Sequence, residues 1–157
     1  MAKSKSESAP VTFDPDRGPI LSIRFLISLV LILGGIAWIA FYYVGVRAPI
    51  DEFGVPGKET GPGFLRDLDG YNYLIGFAAL MLGLAFSAHP KTPLGRGRGV
   101  VVGMLGCFLI GLAWICVYYA INQDPSSVPI FNDLGQKNLF VGISFMAVGF
   151  TFATRWE

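Results

Sequence analysis

The chain has 157 residues, of which 53% are apolar and 15% charged, with a formal net charge of +1 and a mean hydropathy of +0.55. An ordinary soluble domain holds about 25% charged and roughly 45–50% apolar residues, so this composition excludes one. The near-neutral balance excludes the basic footprint of a nucleic-acid binder, and a coil this apolar would not stay dissolved.

In chain order, residues 1–19 come first as a polar tail carrying Lys3, Lys5, Ser4, Ser6, Ser8, Pro10 and Thr12. It is expected to be disordered and cytoplasmic. Thr12, near Asp14 and Asp16, is a candidate tail contact or phosphorylation site, since phosphate would add about −1.5 to −2 charges there. Four blocks free of Asp, Glu, Lys and Arg follow, over 25–46, 70–88, 99–123 and 138–154. At about 1.5 Å rise per residue, each crosses most or all of a hydrocarbon core of about 30 Å. The blocks are apolar on every face rather than along one stripe. They predict an all-α membrane protein with four transmembrane helices, spanning about 25–46, 70–88, 99–121 and 138–154. The first block exceeds the core of a signal peptide and reads as an uncleaved anchor.

Orientation follows from the cations. Lys3, Lys5, Arg17, Arg24, Lys91, Arg96, Arg98 and Arg155 fall on one side, against Arg47, Lys58, Arg66 and Lys137 on the other. Most acids, Asp51, Glu52, Glu59, Asp67, Asp69, Asp124 and Asp133, lie on that second side. The positive-inside rule then places both termini and the loop 90–98 in the cytoplasm. Trp38, Tyr42, Tyr43, Tyr71, Tyr73, Trp114, Tyr118 and Tyr119 sit at outer helix ends, where interfacial aromatics belong.

The chain is written twice. Gly35-Ile-Ala-Trp38-Ile-Ala-Phe-Tyr42-Tyr43 reappears as Gly111-Leu-Ala-Trp114-Ile-Cys-Val-Tyr118-Tyr119, at an offset of 76. Asn72, Gly76, Gly83 and Phe86 reappear as Asn138, Gly142, Gly149 and Phe152, at an offset of 66. A Pro-Ile step, Pro49-Ile50 and Pro129-Ile130, recurs in the outer loops. The copies, 20–89 and 99–157, each hold two spans and therefore enter the membrane in the same direction. This parallel repeat predicts two helical hairpins related by a half-turn about the membrane normal.

The spans themselves carry no ionisable side chain that would mark a proton relay or ion path. His89 has no second imidazole with which to share a metal or haem. Cys107 and Cys116 are nine residues apart on opposite helix faces and match no redox or metal motif. The outer carboxylates read as solvated loop charges. Gly95-Arg-Gly-Arg98-Gly99 reads as a flexible basic turn against anionic lipid headgroups. No catalytic residue, cofactor site or metal site is expected, and the chain is read as non-enzymatic. Its helices do carry contact surface. Gly76, Ala79, Gly83 and Ser87 form a small-residue stripe, partly repeated by Gly142, Gly149 and Ala153, and Gly99-x-x-x-Gly103 opens the third span. Gly35, Trp38 and Tyr42 share a face, as do Gly111, Trp114 and Tyr118. Together with Asn72 and Asn138 these are the candidates for helix packing or for contact with a partner.

The second copy, with Phe108-Leu-Ile-Gly111-Leu-Ala-Trp114-Ile115, Pro129-Ile130, Asn138, Gly142, Gly149 and a closing Thr154-Arg155-Trp156-Glu157, resembles the small two-helix actinobacterial cell-division family CrgA. The start Met1-Ala-Lys3-Ser4-Lys5 is similar too. The chain departs from the two-span pattern by duplication, and its first copy ends in His89-Pro90 rather than a basic-Trp pair. The resemblance implies a plasma-membrane protein of the division septum that regulates septum formation. Its implied partners are the tubulin-like ring protein, septal peptidoglycan synthases and membrane lipids. Two other readings remain open: an accessory subunit of a larger membrane complex such as a respiratory supercomplex, and a small uncharged-substrate transporter.

Overall fold

The computed structural model describes residues 21–48, 55, 57–58, 60–121 and 128–155. The tail 1–19 with Thr12, and the Pro49-Ile50 step, lie outside the described residues. The regular elements among those described are all helices: α1 (Ile23–Gly45), α2 (Gly63–Leu68), α3 (Tyr71–Ser87), α4 (Arg98–Ile121), α5 (Pro129–Leu134) and α6 (Lys137–Ala153). The end of the bundle that holds Ser22, His89, Arg98 and Arg155 is called proximal below. The end that holds Val46, Tyr71 and Lys137 is called distal.

Helices α1 and α4 are each long and apolar enough to cross a membrane. Helices α3 and α6 have 17 residues each and rise about 25 Å at 1.5 Å per residue. Large apolar side chains such as Val30, Leu33, Leu74, Leu109 and Phe140 point outward along all four. Soluble monomers do not expose apolar surface on this scale, so the chain is membrane-associated.

Helix α1 lies antiparallel on α3, and α4 on α6. The buried residues of α1, Ser28, Gly35 and Tyr42, recur every seventh position, the spacing of a shallow left-handed crossing. The two pairs meet through α3 and α6, where the rings of Phe77 and Phe145 pack edge-on at 6.0 Å. Equivalent helices of the two copies thus touch each other.

One buried cluster, Ala88, Val100, Cys107, Val148 and Phe152, closes the proximal end and draws on both hairpins. A second, Tyr42, Val46 and Leu65 with Trp38 and Tyr73 against it, closes the distal end of the first hairpin. Cys107 is buried and Cys116 exposed, as opposite helix faces demand.

The basic loop is not a flexible turn. The Thr92 hydroxyl is buried between the carbonyls of Ser87 and His89 and accepts from the Gly95 amide at 3.2 Å. A Cβ on Gly95 would lie 2.1 Å from the His89 carbonyl oxygen, and one on Gly99 equally close to that of Pro93. The loop is therefore packed so tightly that only glycine fits at those positions. Ser22 ties it to α1: its hydroxyl accepts from the Phe25 amide, which caps the helix, and donates to the Lys91 carbonyl at 2.8 Å.

Candidate functional site

Each hairpin turns at its distal end through a short helix that the apolar pattern did not predict. In both, the turn into the long helix has the same backbone, with Asp69 at φ 41°, ψ −130° and Gly135 at φ 49°, ψ −128°. These angles match the first central position of a type II′ turn, where glycine is the usual occupant. The repeated asparagine explains how the turn is held. Asn72 Nδ2 donates to the carbonyls of Leu65 and Asp69 at 2.7 and 2.8 Å. Asn138 Nδ2 donates to those of Phe131 and Gly135, both at 2.8 Å. Each asparagine is fully buried and adds a side-chain donor to the backbone amides of Asn72, Gly135 and Asn138, which meet the Asp69, Phe131 and Gly135 carbonyls at 3.1, 3.0 and 3.2 Å. The offset of 66 thus extends to α2 and α5. The Pro-Ile match does not, because Pro129-Ile130 opens α5, whose counterpart α2 begins at Gly63.

The small residues are spent inside the hairpins. A Cβ on Gly35 would lie 2.5 Å from the Gly76 carbonyl oxygen, and one on Gly111 would lie 2.5 Å from that of Gly142. Gly83 meets the Ser28 carbonyl and Ile32 at 2.8–2.9 Å, whereas Gly149 has its nearest neighbours at 3.3–3.4 Å. Gly103 lies under the ring of the buried Phe152. Ala79 is half-buried beside this seam. Trp38 and Trp114 turn towards the short helices, with ring centroids 6.4 Å from Phe64 and 4.9 Å from Phe131. Their indole N–H groups are buried without a hydrogen-bond partner, as are the Oδ1 atoms of Asn72 and Asn138. Tyr118 packs on Phe131 and Tyr119.

Between the hairpins, at the distal end, opens a cleft of about 980 Å³. Its floor is apolar, with Leu74, Phe77, Phe140 and Val141, and its mouth carries Arg47, Asp67, Asp69, Asp133 and Lys137. Not all of these carboxylates are solvated loop charges. Arg47 grips Asp133 with both a 2.5 Å Nε–Oδ2 contact and a 2.9 Å bond from Nη2 to Oδ1, the forked geometry that suits a guanidinium. Tyr73 donates to the same carboxylate at 3.0 Å, and the Arg47 guanidinium sits 5.3 Å from the Tyr43 ring centroid. Tyr42 donates to Asp69 at 3.2 Å and packs edge-on against Tyr73. This clasp ties the first hairpin to the second. It breaks the symmetry, because Tyr73 has Leu139 and Asp69 has Gly135 as counterparts. Arg47 was visible in the sequence only as a loop cation, since its partner lies 86 residues away.

The clasp side chains are only 14% and 17% exposed, so water screens them less than a surface pair. A double-mutant cycle between Arg47→Gln and Asp133→Asn, read by unfolding in mixed detergent micelles, should give a coupling of about 1–2 kcal/mol. Additive effects would show that the clasp contributes nothing to holding the hairpins together.

The family model described as "Cell division protein CrgA" matches this chain twice, over residues 1–91 and 88–157. A relative of that name from Streptomyces avermitilis is 44% identical over 64 residues, covering 41% of this chain and 71% of the relative. Another, from Corynebacterium aurimucosum, is 29% identical over 76 residues, covering 45% of this chain and 80% of the relative. Each match thus takes in most of the relative and under half of this chain. No solved structure matches.

Proposed function

The chain belongs to the CrgA cell-division family, as a tandem repeat of it, and from that premise we propose a non-enzymatic, multi-pass membrane protein of the division septum. The observation that carries the reading is that each half matches the division-protein family separately. The chain then presents two division hairpins in a fixed pair, where single-hairpin relatives would present one. The clasp and the α3–α6 seam support it, since they hold the copies in one arrangement. All four long helices span the membrane in this reading. Both termini face the cytoplasm, and the cleft opens on the outer surface, in keeping with the cation distribution.

Function then resides in surfaces. The tail meets cytoplasmic partners such as the tubulin-like ring protein, and the distal end faces the septal peptidoglycan synthases. A fluorescent fusion expressed at native level should concentrate at septa, and loss of the gene should alter septum frequency or spacing. Deleting residues 2–16 should leave membrane insertion intact and weaken septal recruitment. A fusion spread evenly over the membrane, with septation unchanged in the deletion strain, would overturn the proposal. Co-purification of redox subunits in place of septal synthases would favour an accessory subunit of a respiratory assembly.

A further inference from the structure

At the proximal end, where the start of α1 meets the ends of α3 and α6, lies a second pocket of about 370 Å³. Arg24, His89 and Arg155 line it, each from a different element, with Phe86 and Thr151 among its walls. The acids among the described residues, Asp67, Asp69 and Asp133, all lie at the distal end. No carboxylate among the described residues therefore stands near these cations. The C-termini of α3 and α6 border the pocket and carry about half a negative charge each. Among the described residues, those partial charges are the negative charge that faces the two guanidiniums and the nearby Lys91.

We propose that this pocket seats the phosphodiester of an anionic membrane lipid, held between the Arg24 and Arg155 guanidiniums with its acyl chains along the exposed apolar faces of α1, α3 and α6. Three features support that occupant. The cations come from both hairpins and line one pocket. They stand at the ends of apolar helices, at the depth where a headgroup lies and where basic pockets between helices take lipid phosphates. The adjoining loop 88–97 is packed solid, so His89 and Lys91 are placed in advance rather than recruited. The His89 imidazole reports the field there. Burial, with the positive charges of Arg24, Arg155 and Lys91, holds its pKa below the ordinary histidine value.

The inference requires the helices to lie in a bilayer. It does not require a role in division, so the two can fail separately. His89 is the chain's single histidine, which makes it a unique probe. The full-length protein is reconstituted in nanodiscs of phosphatidylcholine alone, of phosphatidylcholine with phosphatidylglycerol, and of phosphatidylcholine with added inorganic phosphate. The imidazole is titrated by NMR in each. Phosphatidylglycerol should raise the His89 pKa, and free phosphate should not. In Arg24→Gln/Arg155→Gln the rise should shrink to what surface potential alone produces, whereas Arg24→Lys/Arg155→Lys should keep most of it.

Native mass spectrometry gives a second readout. At about a fivefold effect per surface cation, the Gln pair should retain phosphatidylglycerol roughly 25-fold less well, and a Lys137→Gln control at the distal end should retain it normally. An equal pKa rise with free phosphate would show a soluble-anion site and overturn the lipid assignment. An undiminished rise in the Gln pair, or an equal loss of lipid in the Lys137→Gln control, would show nonspecific attraction and overturn the site.

Discussion

Gly142→Ala should unfold the second hairpin and leave little of the protein in the membrane, although alanine is the smallest change available. The new Cβ would lie 2.4 Å from Ile115 and 2.9 Å from the carbonyl oxygen of Gly111. Real Cβ atoms do not approach backbone oxygen so closely, and a backbone atom cannot rotate away as a side chain does. The helices would have to part along the line where they touch most closely. In a bilayer that contact is most of what holds them, since lipid supplies no hydrophobic force between apolar helices. Overpacking of a tight core costs typically 1–3 kcal/mol, and a clash with backbone belongs at or above the top of that range. Gly76→Ala, in the equivalent place with Ile39 at 2.6 Å and the Gly35 carbonyl oxygen at 2.9 Å, should do the same to the first hairpin. Two controls set the scale. Gly106 has nothing within 4 Å of an added Cβ, and Gly149 has only ordinary or slightly tight contacts, so alanine at either should be close to neutral. Folded fraction against detergent denaturant, with the steady-state level in membranes, measures all four. Equal behaviour of Gly142→Ala and Gly106→Ala would refute the packing account.

Asn138→Leu should release α5 from α6 at a cost of about 1–3 kcal/mol. Leucine has the branched skeleton of asparagine but a larger volume and no donor, so the carbonyls of Phe131 and Gly135 lose their 2.8 Å side-chain partner together. Both carbonyls keep a backbone partner, the Gly135 amide at 3.0 Å and the Asn138 amide at 3.2 Å. The change therefore removes two side-chain hydrogen bonds worth about 0.5–1.5 kcal/mol each, and bilayer surroundings offer no water to replace them. Asn72→Leu should do likewise to the turn between α2 and α3, where Asp69 already holds a backbone conformation that suits glycine. Trp114→Phe is the informative contrast. The indole N–H makes no hydrogen bond, so phenylalanine keeps much of the tilted ring contact with Phe131 and removes a buried orphan donor, and stability should change little. Hydrogen exchange of the α5 amides distinguishes the two. Fast exchange is expected for Asn138→Leu and slow exchange for Trp114→Phe. Protection of α5 in Asn138→Leu equal to that of the parent protein would mean that the asparagine does not hold the turn.

The apolar blocks, the doubling of the chain and the presence of small residues suited to close helix contact could be read in the sequence, for one physical reason. Lipid demands long runs without charge, and close helix contact demands residues without a side chain, so both requirements are written residue by residue. Tryptophan and asparagine recurring at fixed offsets marked the repeat because they recur by chance inside such runs far less often than leucine does. Which surface each feature serves was decided only in three dimensions. A helix apolar on every face has no polar stripe to say which side is buried, so the sequence left open whether the stripe of Gly76 and Gly83 faces α1 or a partner. The short helices escaped notice because six residues are too few to show a period, and their ends are held by an asparagine seven positions further on. The clasp of Arg47, Tyr73 and Asp133 and the proximal convergence of Arg24, His89 and Arg155 join residues far apart in sequence and on different elements. Their charges could be counted beforehand, but their meeting depends on α3 packing against α6, and only the tertiary structure brings those helices together.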